Sequence, residues 1–231
     1  MDWTMMLAAA LGIGPALALL FWTLQDYTYP RVERPFFDDR KLFLMLAVGM
    51  VIGVIVYVLQ SYFDLGYLLF ALLFAVVEEL LKLVILNFPR FARRLDTSFY
   101  GLSMGLGIGS TMAFGAVLST IQQSDGLGAM AWVMVVILGV QLVLLHGSCG
   151  ALVGTGSARG EVWGYFAQAG LLHLGFNLLM AVPLNVDSDL AAWTSVVLAT
   201  LLVLYYYIQV HRHLLPSVVK DALKAMGKTK A

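Results

Sequence analysis

Charged residues are scarce in this chain of 231 residues, of which 12% are Asp, Glu, Lys or Arg and 61% are hydrophobic. A soluble domain carries roughly 25% charged residues, and it needs polar surface to meet water. The low charge therefore excludes an ordinary soluble domain and indicates that lipid surrounds most of the chain.

Cysteine is almost absent as well. The single residue Cys149 excludes an intrachain disulfide and any metal site built from several cysteines. The formal net charge of zero indicates no strongly basic or acidic partner, and we expect no binding to nucleic acid. A cleavable signal peptide is not indicated, because Asp2 replaces the usual positive charge and the apolar run is too long. We interpret this first run as a retained membrane anchor.

Long apolar runs fill most of the chain. A helix needs about 20 apolar residues to cross a bilayer, and the sequence offers seven such runs, with eight as the alternative count. They lie at 3–24, 42–61, 66–88, 99–121, 128–154, 163–183 and 191–210. Turn-forming residues separate them, at 64–66 and 124–126 among other places, and no linker is long enough to divide two domains. The sequence therefore predicts an all-α, polytopic transmembrane helix bundle that forms a single domain over 1–231.

The basic residues fall on one side of this arrangement. Of fourteen Lys and Arg residues, thirteen follow the first, third, fifth or seventh span. In the other loops, the charged residues are all Asp. The positive-inside rule makes the basic side cytoplasmic. We therefore predict an integral membrane protein with its N-terminus outside and its C-terminus in the cytoplasm.

Two further patterns concern packing. The basic cytoplasmic tail, 211–231, alternates apolar and Lys faces in the way typical of a short helix on the anionic inner leaflet, with a frayed tail as the alternative. Gly101, Gly105 and Gly109 are four residues apart, which predicts a small-residue face for close helix packing. Small residues of this kind also permit a homo-oligomer without requiring one.

Ionisable and amide side chains occur inside three predicted spans. They are Glu78, Glu79 and Lys82 in the third, His146 in the fifth, and His173 and Asn177 in the sixth. A charge at the bilayer centre costs at least ~2.5–3.5 kcal/mol, so such residues pair, face a cavity or act chemically. At 1.5 Å of rise per residue, the three helices bring a carboxylate and two imidazoles to similar depths, roughly 10–18 Å from the cytoplasmic ends. We expect them to share a wet pocket beneath the inner leaflet.

Helical spacing predicts how these groups are arranged. Glu78 and Lys82 are four residues apart and can form an ion pair, which leaves Glu79 free to face the bundle. His173 and Asn177 share one helix face. A carboxylate base, imidazoles that orient water or a metal, and an amide for an oxyanion form a hydrolytic set. The alternatives are structural: an ion pair that joins helices, a core histidine, and an interhelical hydrogen-bond pair.

Cys149, beside Ser148, is a further candidate nucleophile near His146. We expect neither residue to face His146 from two or three positions along the helix. The sequence therefore does not favour thiol chemistry.

At these residues the chain resembles the PrsW-type intramembrane proteases, relatives of the CAAX-prenyl endopeptidases and the bacteriocin-processing membrane proteins. The pattern of that superfamily is a glutamate pair with a basic residue, then a histidine, then His-x-x-x-Asn. It stands here as EELLK at 78–82, LVLLHGSCGALVG at 142–154 and HLGFN at 173–177. The first cytoplasmic loop, from Asp26, is similar in its aromatic, proline and charged residues.

The resemblance implies hydrolysis of peptide bonds in a membrane-bound protein substrate, in a prokaryotic cell membrane. It implies that Glu79 or Glu78 activates water, that His146 and His173 position the water or hold a metal, and that Asn177 stabilises the oxyanion. Glu79, His146 and His173 are the candidate metal ligands. Two histidines and a glutamate can bind zinc, but the His-Glu-x-x-His spacing is missing, so zinc and no cofactor both stay open.

One position departs from the family pattern. The family commonly carries Glu-Asn at the end of a glycine-rich stretch in the fourth span. GLGIGSTMA at 105–113 matches the glycines, but Met112 and Ala113 occupy the acidic position and its neighbour. If that glutamate is needed, the chain is an inactive member of the family.

Two other functions are compatible with the same residues. A proton-coupled carrier also uses intramembrane Glu, Lys and His, although no inverted repeat is visible. An inactive membrane scaffold would bind partner helices through the face formed by Gly101, Gly105 and Gly109.

Overall fold

The structure is a computed structural model that describes residues 3–33, 35–63, 67–123, 128–225 and 227. Within these ranges the regular elements are all helices, in agreement with the predicted all-α class. Eight α-helices follow one another: α1 Trp3–Leu24, α2 Asp39–Gln60, α3 Leu68–Leu86, α4 Thr97–Gln123, α5 Ala129–Arg159, α6 Val162–Asn185, α7 Asp189–Gln209 and α8 Leu215–Ala225. The turns predicted at 64–66 and 124–126 lie outside the described residues, as do 226 and 228–231 of the tail.

Six stretches of the described chain are long and apolar enough to cross a membrane. They are Trp3–Tyr27, Asp39–Gln60, Thr97–Gln122, Ala129–Arg159, Val162–Asn185 and Asp189–Lys224. The predicted number of seven is not confirmed, because α3 carries three charged residues in its 19-residue length. Large apolar side chains such as Phe21 and Leu201 are exposed on the outside of the bundle, which is where lipid would meet them.

Local sequence explains where several helices begin and end. The Asp38 side chain accepts hydrogen bonds from the backbone N–H groups of Arg40 and Lys41, which caps α2. Ser188 caps α7 in the same way through the N–H of Ala191. Helix α5 ends at Gly160, whose φ of 76° is the left-handed conformation that glycine adopts without strain.

Helix α4 lies at the centre of the bundle. Residues 97–113 are all buried, and α4 packs against α5, α2 and α1. A Cβ atom on Gly105 would collide with the carbonyl oxygen of His146, and Gly101 and Gly109 lie equally close to the backbone of α5. The predicted close packing through these glycines is confirmed. The idea that this face binds a partner helix is wrong, because α5 of the same chain already covers it.

The basic segments meet at one end of the bundle. The Arg159 side chain contacts Asp221 of α8 at 2.6 Å, and the Arg93 N–H donates to the Ser157 carbonyl. At the same end, the Asp38 N–H donates to the hydroxyl of Tyr100. We call this the basic end, and the sequence prediction that the basic loops share one side agrees with it.

The tail forms the predicted helix but does not lie free on a surface. A π-helical segment, Val210–Leu214, continues α7 into α8. Leu215 and Val218 are buried within the protein, and Asp221 is tied to Arg159. The first turns of the apolar face predicted to contact the inner leaflet therefore contact the bundle.

Candidate active site

Helix α3 brings three charged side chains into the interior. Glu78, Glu79 and Lys82 are at most 2% exposed, although the helix around them is apolar. Helices α5 and α6 pack on this part of α3 and supply the polar partners. A buried charge is tolerated only when it is paired or hydrogen-bonded, so the contacts of these three residues define the site.

The buried ion pair joins Lys82 to Glu79. The Nζ atom of Lys82 lies 2.5 Å from Oε1 of Glu79 and 3.3 Å from Nδ1 of His146 on α5. The prediction that Lys82 pairs with Glu78, and that Glu79 is left free, is wrong. Spacings of three and four residues both place side chains in contact on a helix, and the packing of α5 here selects the first.

Glu79 also holds the histidine of α6. Its Oε1 lies 2.8 Å from Nδ1 of His173, so one carboxylate oxygen contacts both the ammonium and the imidazole. A carboxylate on Nδ1 fixes the orientation of an imidazole and leaves Nε2 for other work. Glu79 therefore lies in the interior of the bundle as a partner of Lys82 and His173, and it positions the His173 ring.

Glu78 and Glu79 each have one buried oxygen, Oε2, without a hydrogen-bond partner among the described residues, and that of Glu78 faces the two histidines. The Oε1 atom of Glu78 accepts a hydrogen bond of 2.7 Å from Nε2 of Gln60, the last residue of α2. Its Oε2 lies 3.7 Å from Nε2 of His146 and 4.0 Å from Nε2 of His173. Oε2 of Glu78 and Nε2 of His146 are buried and have no hydrogen-bond partner among the described residues. The gap between these atoms is of the size that a bridging water fills.

A cavity of about 290 Å³ opens from this cluster. Glu78, His146, His173, Asn177 and Gln60 provide its polar surface. The remaining walls are apolar apart from the Tyr57 hydroxyl, and include Ala71, Phe74, Met112, Ala116, Leu138, Leu142, Phe176, Met180, Ala181, Pro183 and Leu184. A concave apolar space with a few convergent polar groups is the usual form of a binding site.

The cavity extends away from the basic end. Its residues on α3 are Ala71, Phe74 and Glu78, none from the last two turns of the helix, and those on α2 and α6 include their final turns. The sequence predicts the pocket toward the basic side of the cluster, whereas the cavity lies on the opposite side. The predicted convergence of side chains from α3, α5 and α6 is confirmed. The positions of these residues along their helices predict their depth in the bundle. They do not predict on which side of the cluster the packing leaves a cavity.

Asn177 lies on the cavity wall one turn from His173. Its Nδ2 donates a hydrogen bond of 2.9 Å to the carbonyl of Ala71 on α3, which fixes the amide. An Asn side chain has two N–H donors on this nitrogen. Among the described residues this nitrogen has the one hydrogen bond, so its second donor can reach a group bound in the cavity.

Two groups of described side chains come close enough to hold a metal ion. One is Glu78, His146 and His173, and the other is Glu79, Cys149 and His173, each with ligand atoms within 4.8 Å of one another. The predicted ligand set of Glu79 with both histidines is not among them; Glu79 and His146 instead share a contact with the Lys82 ammonium.

The first group, Glu78, His146 and His173, has the number of ligands that a zinc site needs, but the hydrogen on His146 is in the wrong place. Three ligands with an open position form the usual catalytic zinc site. Lys82 has only donors to offer to Nδ1 of His146, so the neutral ring carries its own hydrogen on Nε2. That nitrogen then points a hydrogen, rather than a lone pair, toward Glu78. The arrangement does not fit a metal at this point.

Cys149 lies at the edge of the polar cluster. Its sulfur is next to Glu79 and His173, which the sequence did not predict. No contact between Cys149 and His146 is found among the described residues, as expected from their spacing. Cys149 does not line the cavity, and Ser148 bonds back to the Leu144 carbonyl.

Met112 stands on the cavity wall and is nearly buried. Helix α4 therefore brings a thioether to the position where the resemblance implies a carboxylate. The carboxylate that the described residues bring to the cavity is that of Glu78, on α3. Gln60 of α2 supplies a polar contact that the sequence analysis did not predict. An amide at the end of an apolar span is common, so its position did not indicate a role in the site.

No family model, curated protein or solved structure matches this chain.

Proposed function

We propose that this chain is an intramembrane peptidase in which Glu78 activates water for attack on a peptide bond of a membrane-bound protein. The observation that carries the proposal is the meeting of Glu78, His146 and His173 at the inner end of an apolar cavity. A water molecule among them would satisfy the unpaired Oε2 of Glu78 and Nε2 of His146.

The hydrogen positions give each group a distinct role. His173 faces the Glu79 carboxylate through Nδ1, which keeps a hydrogen there and makes Nε2 an acceptor. His146 faces the Lys82 ammonium through Nδ1, which makes its Nε2 a donor. A water in the gap would donate to Glu78 and His173 and accept from His146.

Hydrolysis then follows from these positions. Glu78 takes a proton from the water as the water oxygen adds to the scissile carbonyl carbon. The second N–H of Asn177 and the Nε2–H of His146 donate to the oxyanion. The C–N bond breaks as Glu78 gives the proton to the leaving amine, and no step requires a metal. Glu79 and Lys82 act as positioning residues.

The path of α3 supports a seventh crossing. It begins at the end of the bundle opposite the basic loops, and at its other end the Leu86 carbonyl accepts a hydrogen bond from Ser157 of α5, near the basic end. A helix of 19 residues is about 28 Å long, slightly shorter than the ~30 Å hydrocarbon core. The residues next to α3 would therefore lie in the interface regions of the membrane. With the basic end in the cytoplasm, substrate would reach the cavity from the outer half of the membrane.

A proton-coupled carrier is the second candidate. Lys82, Glu79 and His173 form a continuous chain of close polar contacts in the interior, and such chains also conduct protons. Proton flux into proteoliposomes that is lost in Glu79→Gln would favour the carrier. Flux equal to that of empty liposomes would remove it.

The test of the peptidase needs no known substrate. Wild type and Glu78→Gln are expressed in bacterial cells, and the new N-termini in the membrane fraction are labelled and sequenced. We expect cleavage sites that depend on wild type and vanish in Glu78→Gln, since glutamine cannot take a proton from water. The two proteins should have the same abundance and thermal stability. Identical sets of N-termini in both cells would refute the proposal.

A further inference from the structure

A second groove lies beside the cavity, at the same end of the bundle. Its volume is about 320 Å³, and it is bounded by α4, α5, α6 and α7. Leu138, Met180 and Pro183 line both spaces, so the groove and the cavity share a wall. Apart from Thr120 and Gln141, the residues that line it are apolar.

Gln141 is the unusual residue of this groove. It is fully buried on α5, and its Nε2 donates to the Val196 carbonyl at 3.1 Å and to the Thr200 hydroxyl at 2.7 Å. Both donors of the amide are therefore used on α7. The Oε1 atom is buried and has no hydrogen-bond partner in the part of the chain that the structure describes.

This acceptor decides which ligand suits the groove. The acyl chain of a lipid fits apolar walls but has no donor, so it would leave Oε1 unpaired, which is unfavourable. A peptide in a helix uses its N–H groups internally. An extended peptide with apolar side chains offers both apolar surface and free backbone N–H groups.

We propose that the groove binds an extended, apolar segment of a polypeptide and that Gln141 Oε1 accepts one of its backbone N–H groups. That this segment belongs to the substrate rests on the peptidase function proposed above. The substrate would then be extended, not helical, on one side of the scissile bond. This extended part would cross the wall formed by Leu138, Met180 and Pro183.

Helix geometry places the contact relative to the reaction. Gln141 and His146 are five residues apart on α5, which is about 7.5 Å along the axis and about 140° around it. An extended chain advances about 3.3 Å per residue. With the width of the helix included, the bonded N–H lies about three or four residues from the scissile bond.

The experiment measures binding rather than cleavage. The probe is a fluorescent Leu-Ala peptide of 20 residues with a central Gly-Pro, and its affinity for Glu78→Gln protein in nanodiscs is measured by anisotropy. A series of peptides carries one backbone N-methyl group each, which removes a single donor. We expect one position, three or four residues from the centre, to lose roughly three- to tenfold in affinity.

Variants then assign the lost contact. In Glu78→Gln/Gln141→Leu, the unmodified peptide should lose the same factor and N-methylation at that position should cost nothing more. Glu78→Gln/Thr200→Val is the matched control, since it removes a partner of the Gln141 donor and keeps Oε1. It should retain the N-methyl effect.

Two results would overturn the groove assignment: no binding of the probe, or an N-methyl effect that is unchanged in Glu78→Gln/Gln141→Leu. Because the measurement needs no hydrolysis, either result leaves the peptidase proposal to its own test. Conversely, a failure to find cleavage sites leaves this binding measurement valid.

Discussion

Replacing Lys82 by methionine should destabilise the protein strongly. The substitution keeps the length of the side chain but removes the ammonium that lies 2.5 Å from Glu79, in a pair that is fully buried on both sides. Breaking a buried pair from one side leaves an uncompensated charge and costs about 3–5 kcal/mol. At about 2–4 °C per kcal/mol for a chain of this size, the midpoint of thermal unfolding should fall by roughly 6–20 °C.

The chain provides its own reporter for this measurement. Cys149 is the single cysteine and is fully buried against the cluster, so a thiol-reactive dye that fluoresces on coupling reports when the site opens. Arg94→Gln is the matched control, because it breaks an ion pair with Asp96 whose Arg94 side chain is 49% exposed, and such pairs are worth at most about 1 kcal/mol.

The double variant Glu79→Gln/Lys82→Met tests the reasoning itself. With both charges removed, the cluster keeps the net charge of wild type, which Glu78 contributes, and a neutral replacement of a buried pair is often close to neutral in stability. Its midpoint should therefore recover most of the loss seen in Lys82→Met. If the double variant unfolds as early as Lys82→Met, the loss reflects packing and the ion pair is not what stabilises this region.

Three further predictions concern the site and its support. Gln60→Met removes the donor to Glu78 and should slow cleavage about tenfold. Ser61→Ala is the control, because it breaks only a hydrogen bond to the Val58 carbonyl at the end of α2 and should not slow cleavage. Equal losses in the two variants would assign the effect to the end of α2. Gly105→Ala pushes a methyl group against the backbone of α5 and should cost about 1–3 kcal/mol of unfolding free energy. Gly170→Ala is the control and should cost nothing, because the space at its Cβ position is open. If Gly105→Ala is as stable as wild type, the close approach of α4 and α5 is contradicted. Phenanthroline, a zinc chelator, should leave cleavage at full rate, and loss of activity that zinc restores would contradict the hydrogen positions assigned to His146.

The apolar spans were predictable because their signal is strong and local. Six of the predicted runs correspond to helices that are long and apolar enough to cross a membrane. The remaining run, 66–88, forms α3. Its three charged residues make it less apolar than the other six, and the same charges identified it as a candidate site. The end of the last span was less predictable, since α7 continues through a π-helical segment into α8 and the apolar residues there suit protein packing as well as lipid.

The members of the site were predictable, but their partners were not. Glu78, His146 and His173 stand out because polar residues are rare inside spans, and they do converge. Which glutamate pairs with Lys82 depends on the rotation of α3 about its axis, and neighbouring helices set that rotation. Gln141 was within reach of the same reasoning, as an amide inside an apolar run, whereas Gln60 at the end of a span was not.

The enclosure of α4 inverts the usual rule for substitutions in a membrane. Residues 97–113 meet protein on every side, so this segment would experience a bilayer only through its neighbours. Small polar residues such as Ser103 and Ser110 are accommodated there because each bonds to a backbone carbonyl. Side-chain volume, not hydrophobicity, therefore sets what this segment tolerates, and a leucine there is a greater disturbance than a serine.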